Sequence, residues 1–291
     1  MGEVRTRRLF ALYAGASESD GVAIPQFMNE IVSSQLDVDR MDYMIRDQAN
    51  TGAQIGGFDS ARVIRALRVG EDGRLYAKIW GLPAIEAYLV TRYHMYNQVY
   101  FHKVNQLTQE YLIRLLSRAK ALALSGEIQL SNSLTKMLTD ENLSVIDYVK
   151  LTDADINSVM IDWAEHSDEE LSGYAQKLSS RRGYHKSIRI GELTTEMAEV
   201  VIPKLLPILS EAGYDESEII TASIRKKGYM PYAQGILLED GRDAVEHSPL
   251  IQSLVQQSEQ ALIFIPEDVR DHCEVVAREC IKPSQSSLSS F

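Results

Sequence analysis

The chain has 291 residues, 45% hydrophobic and 24% charged, enough for one large domain or two small ones with a sizeable core. No apolar run approaches the roughly 18 residues that span a bilayer. A net charge of −11 argues against bulk attraction to nucleic acid or membrane, while a local basic pocket stays compatible with it. Cys273 and Cys280 are the only cysteines; on one helix face they lie about 10 Å apart, too far for a disulfide, which fits a reducing cytoplasm.

Residues 1–23 are unassigned and read as irregular; the apolar stretch Leu9–Ala16 is too short for a secretory leader. From Gln26 to about Gln48, Phe27, Ile31, Leu36, Met41, Met44 and Ile45 recur at helical spacing, with room for a bend near Asp37–Asp39. Asn50-Thr51-Gly52 and Gly56-Gly57 mark a loop, and Asp59-Ser60 caps a short helix, Ala61–Leu67. A hairpin follows, its arms read as Val63–Val69 and Leu75–Ile79 around Asp72-Gly73. Pro83 to about Leu124 predicts one long helix or two, with Ile85, Leu89, Tyr93, Tyr96, Tyr100, Leu107 and Tyr111 on one stripe. Short helices fill 130–190: Asn132–Asp140, Thr152–Ala164 and Asp168–Ser179.

After Arg189 the texture changes. Thr194–Leu209 is helical but interrupted by Pro203 and Pro207, Ile219–Ile224, Gly235–Leu238 and Leu262–Ile265 read as strands, and Pro266–Ile281 is a last helix. The fold class is therefore mainly α, with a helical body over 24–190, a short β-hairpin and a small α+β subdomain over 191–282. The serine-rich segment 283–291 reads as a disordered tail.

The richest stretch is Ser33-Ser34-Gln35-Leu36-Asp37-Val38-Asp39-Arg40-Met41-Asp42-Tyr43-Met44-Ile45-Arg46-Asp47. On a helix Asp39, Asp42/Tyr43 and Arg46/Asp47 share a face, and carboxylate oxygens suit a divalent cation. A solvated acidic face with Arg40 and Arg46 as partners accounts for the same pattern.

This string, with Thr51-Gly52 behind it, resembles the HD-superfamily phosphohydrolases, most closely the deoxynucleoside triphosphate triphosphohydrolases of the SAM-and-HD-domain type. The resemblance continues through Phe58-Asp59, Arg62, Thr91-Arg92 and Val99-Tyr100-Phe101-His102-Lys103-Val104. It goes on through Trp163–His166, Arg181-Arg182 with Lys186, Pro249–Ile251 and Ile265–Glu267, covering about 24–282. It implies an HD-type helical fold and hydrolysis of deoxynucleoside triphosphates to nucleoside and triphosphate. It also implies that Asp39 is the last metal ligand, and that Arg40 and Arg92 contact substrate phosphates. Tyr43, Asp47 and Tyr100 then face the sugar; a core aromatic explains Tyr100 equally well. A second set, Asp59, Arg62, Lys78, His102, Lys103, Arg182 and Lys186, matches a regulatory nucleotide site between subunits, for which solvated surface charge is the plainer reading.

The family's other metal ligands, a histidine and a His-Asp pair, precede the aspartate. Here His94, His102, His166, His185, His247 and His272 all follow Asp39, and no His-Asp dipeptide occurs. One carboxylate cannot fix a catalytic cation. A divalent metal such as Mn, Mg or Fe is therefore expected only if the missing ligands are supplied. The chain is expected to be inactive alone: a truncation, one half of a split enzyme whose partner bears the H…HD motif, or a nucleotide-sensing or assembly pseudoenzyme. A homo-oligomer or such a hetero-oligomer is the expected assembly. An all-helical interaction module would explain the apolar helices but not the joint appearance of Arg40, Tyr43, Asp47, Arg92 and Tyr100.

Overall fold

The computed structural model describes residues 2–139, 143–191, 193–226, 229–231, 235–255 and 258–281. The serine-rich tail lies outside the described residues. Mainly α architecture with a short hairpin and a small α+β portion is what the structure contains. Two compact units divide the chain: one is built from the segment up to His102 together with Arg225–Ser258, the other from Lys103–Ile224 together with the segment from Glu259 onward.

The first unit opens with α1 (Gly2–Tyr13), where irregular chain was expected. Its run of Arg, Leu and Ala favours helix, and no proline or internal glycine interrupts it. The strands β1 (Glu18–Ser19) and β2 (Val22–Ala23) pair antiparallel about Asp20-Gly21, both at positive φ (52° and 71°). Asp-Gly is the turn signal for such a two-residue loop, and it passed unread in the sequence.

The bend anticipated near Asp37 is a full break between α2 (Gln26–Val32) and α3 (Val38–Thr51). Asp37 caps α3 through a bond from Arg40 N–H at 2.7 Å, and Gly52 ends the helix in the left-handed region. After α4 (Ser60–Ala66), β3 (Leu67–Val69) and β4 (Leu75–Ala77) form the expected hairpin, shorter than its predicted arms because α4 claims Val63–Ala66. Gly81 lies directly against Ala66. Helix α5 (Leu82–Met95) then carries Ile85, Tyr88 and Leu89 into a core with Met41, Met44 and Val63. Each such large apolar side chain contributes roughly 1.5–3 kcal/mol on burial. The expected strand Gly235–Leu238 is only a pair of isolated bridges, Ala77 to Leu238 and Leu237 to Asp243.

Of the two alternatives for Pro83–Leu124, one long helix or two, the structure has two. A π-helical turn, Tyr96–Tyr100, ends α5, and α6 (Lys103–Ser125) starts the second unit. Leu115, Ala119 and Leu122 of α6 pack with α7 (Asn132–Thr139), α9 (Asp153–Trp163) and α10 (Glu169–Ser180). The short α8 (Val145–Lys150), absent from the sequence reading, leaves Val145, Ile146, Tyr148 and Val149 exposed. A second core joins α11 (Thr195–Glu211) to α13 (Arg270–Ile281) over a three-stranded sheet. The sheet runs in the order β5 (Lys186–Ser187), β7 (Ser258–Ile265) and β6 (Ile220–Lys226). Pro203 and Pro207 do not interrupt α11; both sit on its exposed side, where the carbonyls they leave without an N–H partner reach water. The last helix begins at Arg270, four residues later than expected. Among the described residues no helix is long and apolar enough to cross a membrane.

Candidate functional site

In the first unit, α3 and α5 bring together five of the six residues singled out around the aspartate-rich motif. At the start of α3, Asp37 holds three donors. Its carboxylate accepts from Ser34 N–H at 3.1 Å and Arg40 N–H at 2.7 Å, and it pairs with the Arg40 guanidinium at 2.9 Å. Arg40 also donates to the Ser34 carbonyl. The cap therefore fixes both the helix start and the direction of the arginine.

Arg92 on α5 donates to the side-chain oxygen of Gln35 at 2.6 Å and lies 5.8 Å from the centre of the Tyr96 ring. Gln35, Arg40, Arg92 and Tyr96 line one cavity of about 850 Å³, with Arg74 and Arg225 further along its wall. Arg40 is paired with Asp37 and Arg74 with Glu30, itself on the cavity wall, while Arg92 is held by an uncharged partner and leaves positive charge for an anion in a chain of net charge −11.

Towards the other end of α3 the chemistry changes. Tyr100 donates to Asp47 at 2.9 Å, and Tyr43 and Tyr96 hold their hydroxyls 3.4 Å apart. The rings of Tyr43 and Tyr96 each meet Tyr100 edge-on, at 5.9 and 5.0 Å. Burial raises the pKa of Tyr43 above the usual tyrosine range, with help from the Tyr96 hydroxyl; burial and the bond to Asp47 do the same for Tyr100. These phenols remain protonated and serve as donors and packing surfaces, not as bases. Helix α3 thus carries Arg40, paired with Asp37, near its start and Tyr43 and Asp47 further along.

The four aspartates of the motif do not converge. Asp37 is a cap, Asp42 pairs with Arg46 on the exposed face, and Asp47 faces Tyr100. Asp39 is exposed and has no side-chain partner among the described residues. Nowhere among the described residues do three His, Cys, Asp or Glu side chains stand close enough to hold a metal ion. The described residues do not by themselves form a cation cradle.

Gln35 and Tyr96 escaped the sequence reading. Gln35 sits in the motif but carries no charge. Tyr96 lies on the predicted apolar stripe, and only the π-turn reveals its polar role; such turns often mark functional sites.

Of the second predicted set, Asp59, Arg62 and Lys78 make local contacts in the first unit. In the first unit Asp59 caps α4, accepting from Arg62 N–H at 2.8 Å. Arg62 donates to the Trp80 carbonyl at 3.1 Å, Lys78 pairs with Glu239 at 2.8 Å, and His102 is exposed. In the second unit Lys103 and Lys186 line a cavity of about 260 Å³ with Arg181, Arg189 and Arg270, above an apolar floor of Leu107 and Phe264. Arg182 is exposed and not part of that wall.

Comparison with known proteins places the chain in a family. The family model of the HD associated region matches residues 58–288. The chain belongs to the HD associated region family. Its fold is similar to the crystal structure of a phosphohydrolase from Bacteroides thetaiotaomicron, with a TM-score of 0.70 and 27% identity over 90% of this chain and 70% of that one. A hypothetical protein from Aquifex aeolicus shares the fold at a TM-score of 0.69 and 24% identity, over 93% of this chain and 64% of that one. Among curated proteins, the uncharacterised YwfO of Bacillus subtilis is 33% identical over 188 residues, 64% of this chain and 42% of its own length. An uncharacterised protein of Methanocaldococcus jannaschii is 30% identical over 128 residues, 43% of this chain and 27% of its own. The chain spans less than half the length of these curated relatives. The relationship to HD-type hydrolases is thereby established at the level of the superfamily.

Proposed function

We propose that this chain is the substrate-binding part of an HD-type phosphohydrolase that hydrolyses deoxynucleoside triphosphates to nucleoside and triphosphate. The observation that carries the reading is the polarity along α3 and α5. Arg40 and Arg92 line a cavity at one end, and the Tyr100–Asp47 pair lies towards the other. A nucleotide laid along α3 puts its phosphates against the two arginines and its sugar against Tyr43, Asp47 and Tyr100. The sugar 3′-hydroxyl donates to the Asp47 carboxylate, and the Tyr100 ring fills the space a 2′-hydroxyl would need. Asp39 contributes one metal ligand, and a segment or partner chain bearing a histidine and a His-Asp pair supplies the rest. The reaction is water attack on the α-phosphorus, which breaks its bond to the 5′-oxygen; the nucleoside leaves on that oxygen and takes up a proton, and triphosphate is released. This assignment is supported by the phosphohydrolase neighbour and by the carry-over of single motif residues.

The binding half of the proposal is tested on the chain by calorimetry with each deoxynucleoside triphosphate and its ribonucleotide counterpart. The expected result is micromolar binding of the deoxy form, weaker binding of the ribo form, and loss of both in Arg40→Ala/Arg92→Ala. Equal binding by wild type and the double variant contradicts it.

A second reading rests on the cavity between Lys103, Lys186 and Arg270. Five cations, of which Lys186 pairs with Glu267 and Arg270 with Asp271, surround an apolar floor that suits a polyphosphate bearing a flat base, so the chain would serve as a nucleotide-sensing or assembly subunit. Its mark is a rise in melting temperature with dGTP or GTP that Lys186→Glu removes and Arg92→Ala leaves in place.

A further inference from the structure

The two arginines at the proposed anion-binding end of the first cavity are held in different ways. Arg40 is ion-paired with the buried Asp37 carboxylate at 2.9 Å, so much of its charge is answered within the protein. Arg92 is held by an uncharged group. The Gln35 side chain is 6% exposed and accepts from the Arg92 guanidinium at 2.6 Å. A guanidinium can only donate, so this bond fixes which way the Gln35 amide faces. Among the described residues no carboxylate pairs with Arg92. Its other neighbour is the Tyr96 ring, whose face attracts a cation without cancelling its charge. Both Gln35 and Arg92 open onto the cavity.

A buried position beside an arginine is where a carboxylate would give the stronger bond. A glutamate here would hold Arg92 at least as firmly, and it would also cancel the charge that an incoming anion needs. We propose that Gln35 is a positioning residue that fixes the Arg92 guanidinium while leaving its positive charge whole, which makes this end of the cavity a polyphosphate acceptor. The inference rests on the reading of this cavity as the phosphate end of a nucleotide site. Gln35 itself touches Arg92 and acts on the ligand through it.

The chemistry predicts an order of affinities that a structural role cannot produce. Gln35→Glu keeps the bond and removes the net charge; Gln35→Ala loses the bond and keeps the charge. Inorganic tripolyphosphate is titrated into the purified chain and into Gln35→Glu, Gln35→Ala and Arg92→Ala, with melting temperatures measured in parallel. The expected order is wild type tightest, Gln35→Ala weakened about threefold, and Gln35→Glu weakened about tenfold or more, close to Arg92→Ala, with no fall in melting temperature. The reverse order, Gln35→Glu binding like wild type and Gln35→Ala worst, overturns the inference. If Arg92→Ala weakens binding and Gln35→Glu does not, Gln35 alone has been misread and the phosphate site stands. If wild type does not bind tripolyphosphate, the proposed site falls and this inference falls with it.

Discussion

Asp37 and Asp47 are both carboxylates on the same motif, yet one organises backbone and the other receives a phenol. Which carboxylate does which was open in the sequence, because spacing gives a helix face and not the neighbours that α5 delivers to it. Tyr100 is the clearest case: a core aromatic and a site residue fitted its stripe equally, and the half-buried ring with its 2.9 Å bond to Asp47 is what the stripe did not give. Tyr100→Phe should weaken binding of a deoxynucleotide about three- to tenfold while the melting temperature changes little, since the ring packing stays and one charge-assisted bond is lost. Calorimetry and thermal melting on the same sample check this, and an unchanged affinity contradicts it. The buried phenols also fix an alkaline limit. Tyr43 and Tyr100 have pKa values raised above the ordinary tyrosine value of about 10. Below that value both folded and unfolded chains hold these protons, so stability does not depend on them. Above it the unfolded chain sheds protons that the folded chain keeps, so stability falls as pH rises. The urea midpoint should therefore decline between pH 10 and pH 11.5, and less steeply in Tyr43→Phe/Tyr100→Phe. A midpoint equally pH-sensitive in that double variant would show that these phenols do not set the limit.

The elements of the first unit were largely legible where one periodicity ruled and illegible where two structures competed for the same residues. Val63–Ala66 fitted both a helix and a strand; the Asp59 cap and the close approach of Gly81 to Ala66 decide for helix. A Cβ at Gly81 would stand 2.3 Å from the Ala66 side chain, so Gly81→Ala should destabilise the protein by roughly 1–3 kcal/mol. A melting temperature equal to wild type would show that the two helices separate freely. The break between α5 and α6 was left open because the apolar stripe runs through it; a π-turn shifts register without changing hydrophobicity. In the second unit Asp168 starts α10, accepting from Leu171 N–H at 2.8 Å, and it pairs with Arg118 at 2.5 Å. The Arg118 guanidinium holds the Asp168 carboxyl down at about 2. The pair therefore stabilises the fold above the unfolded aspartate value of about 4, and that contribution is lost as pH falls towards 2. Asp168→Ala should cost about 1 kcal/mol at pH 7, and the gap to wild type should close at pH 2. A gap that persists unchanged at pH 2 would show that the carboxylate's charge is irrelevant.

For the whole chain, composition and motif pointed to a helical HD-type fold, and family membership bears out that level. The helix α1, the hairpin about Asp20-Gly21 and the exposed α8 were missed, since none presents a periodic apolar face. Gln35 was missed because an uncharged residue gains its role only from Arg92, which lies 57 positions away. In the proposed function this chain binds the nucleotide and gives one ligand, Asp39, to a metal centre completed by other residues. Triphosphate release from deoxynucleoside triphosphates with Mn²⁺ or Mg²⁺ tests it most directly, measured on the chain alone and on the chain completed by a polypeptide bearing a histidine and a His-Asp pair. The account predicts no release by the chain alone, and release by the completed protein that Asp39→Ala abolishes. Turnover by the chain alone that Asp39→Ala removes, or none from the completed protein, would contradict it.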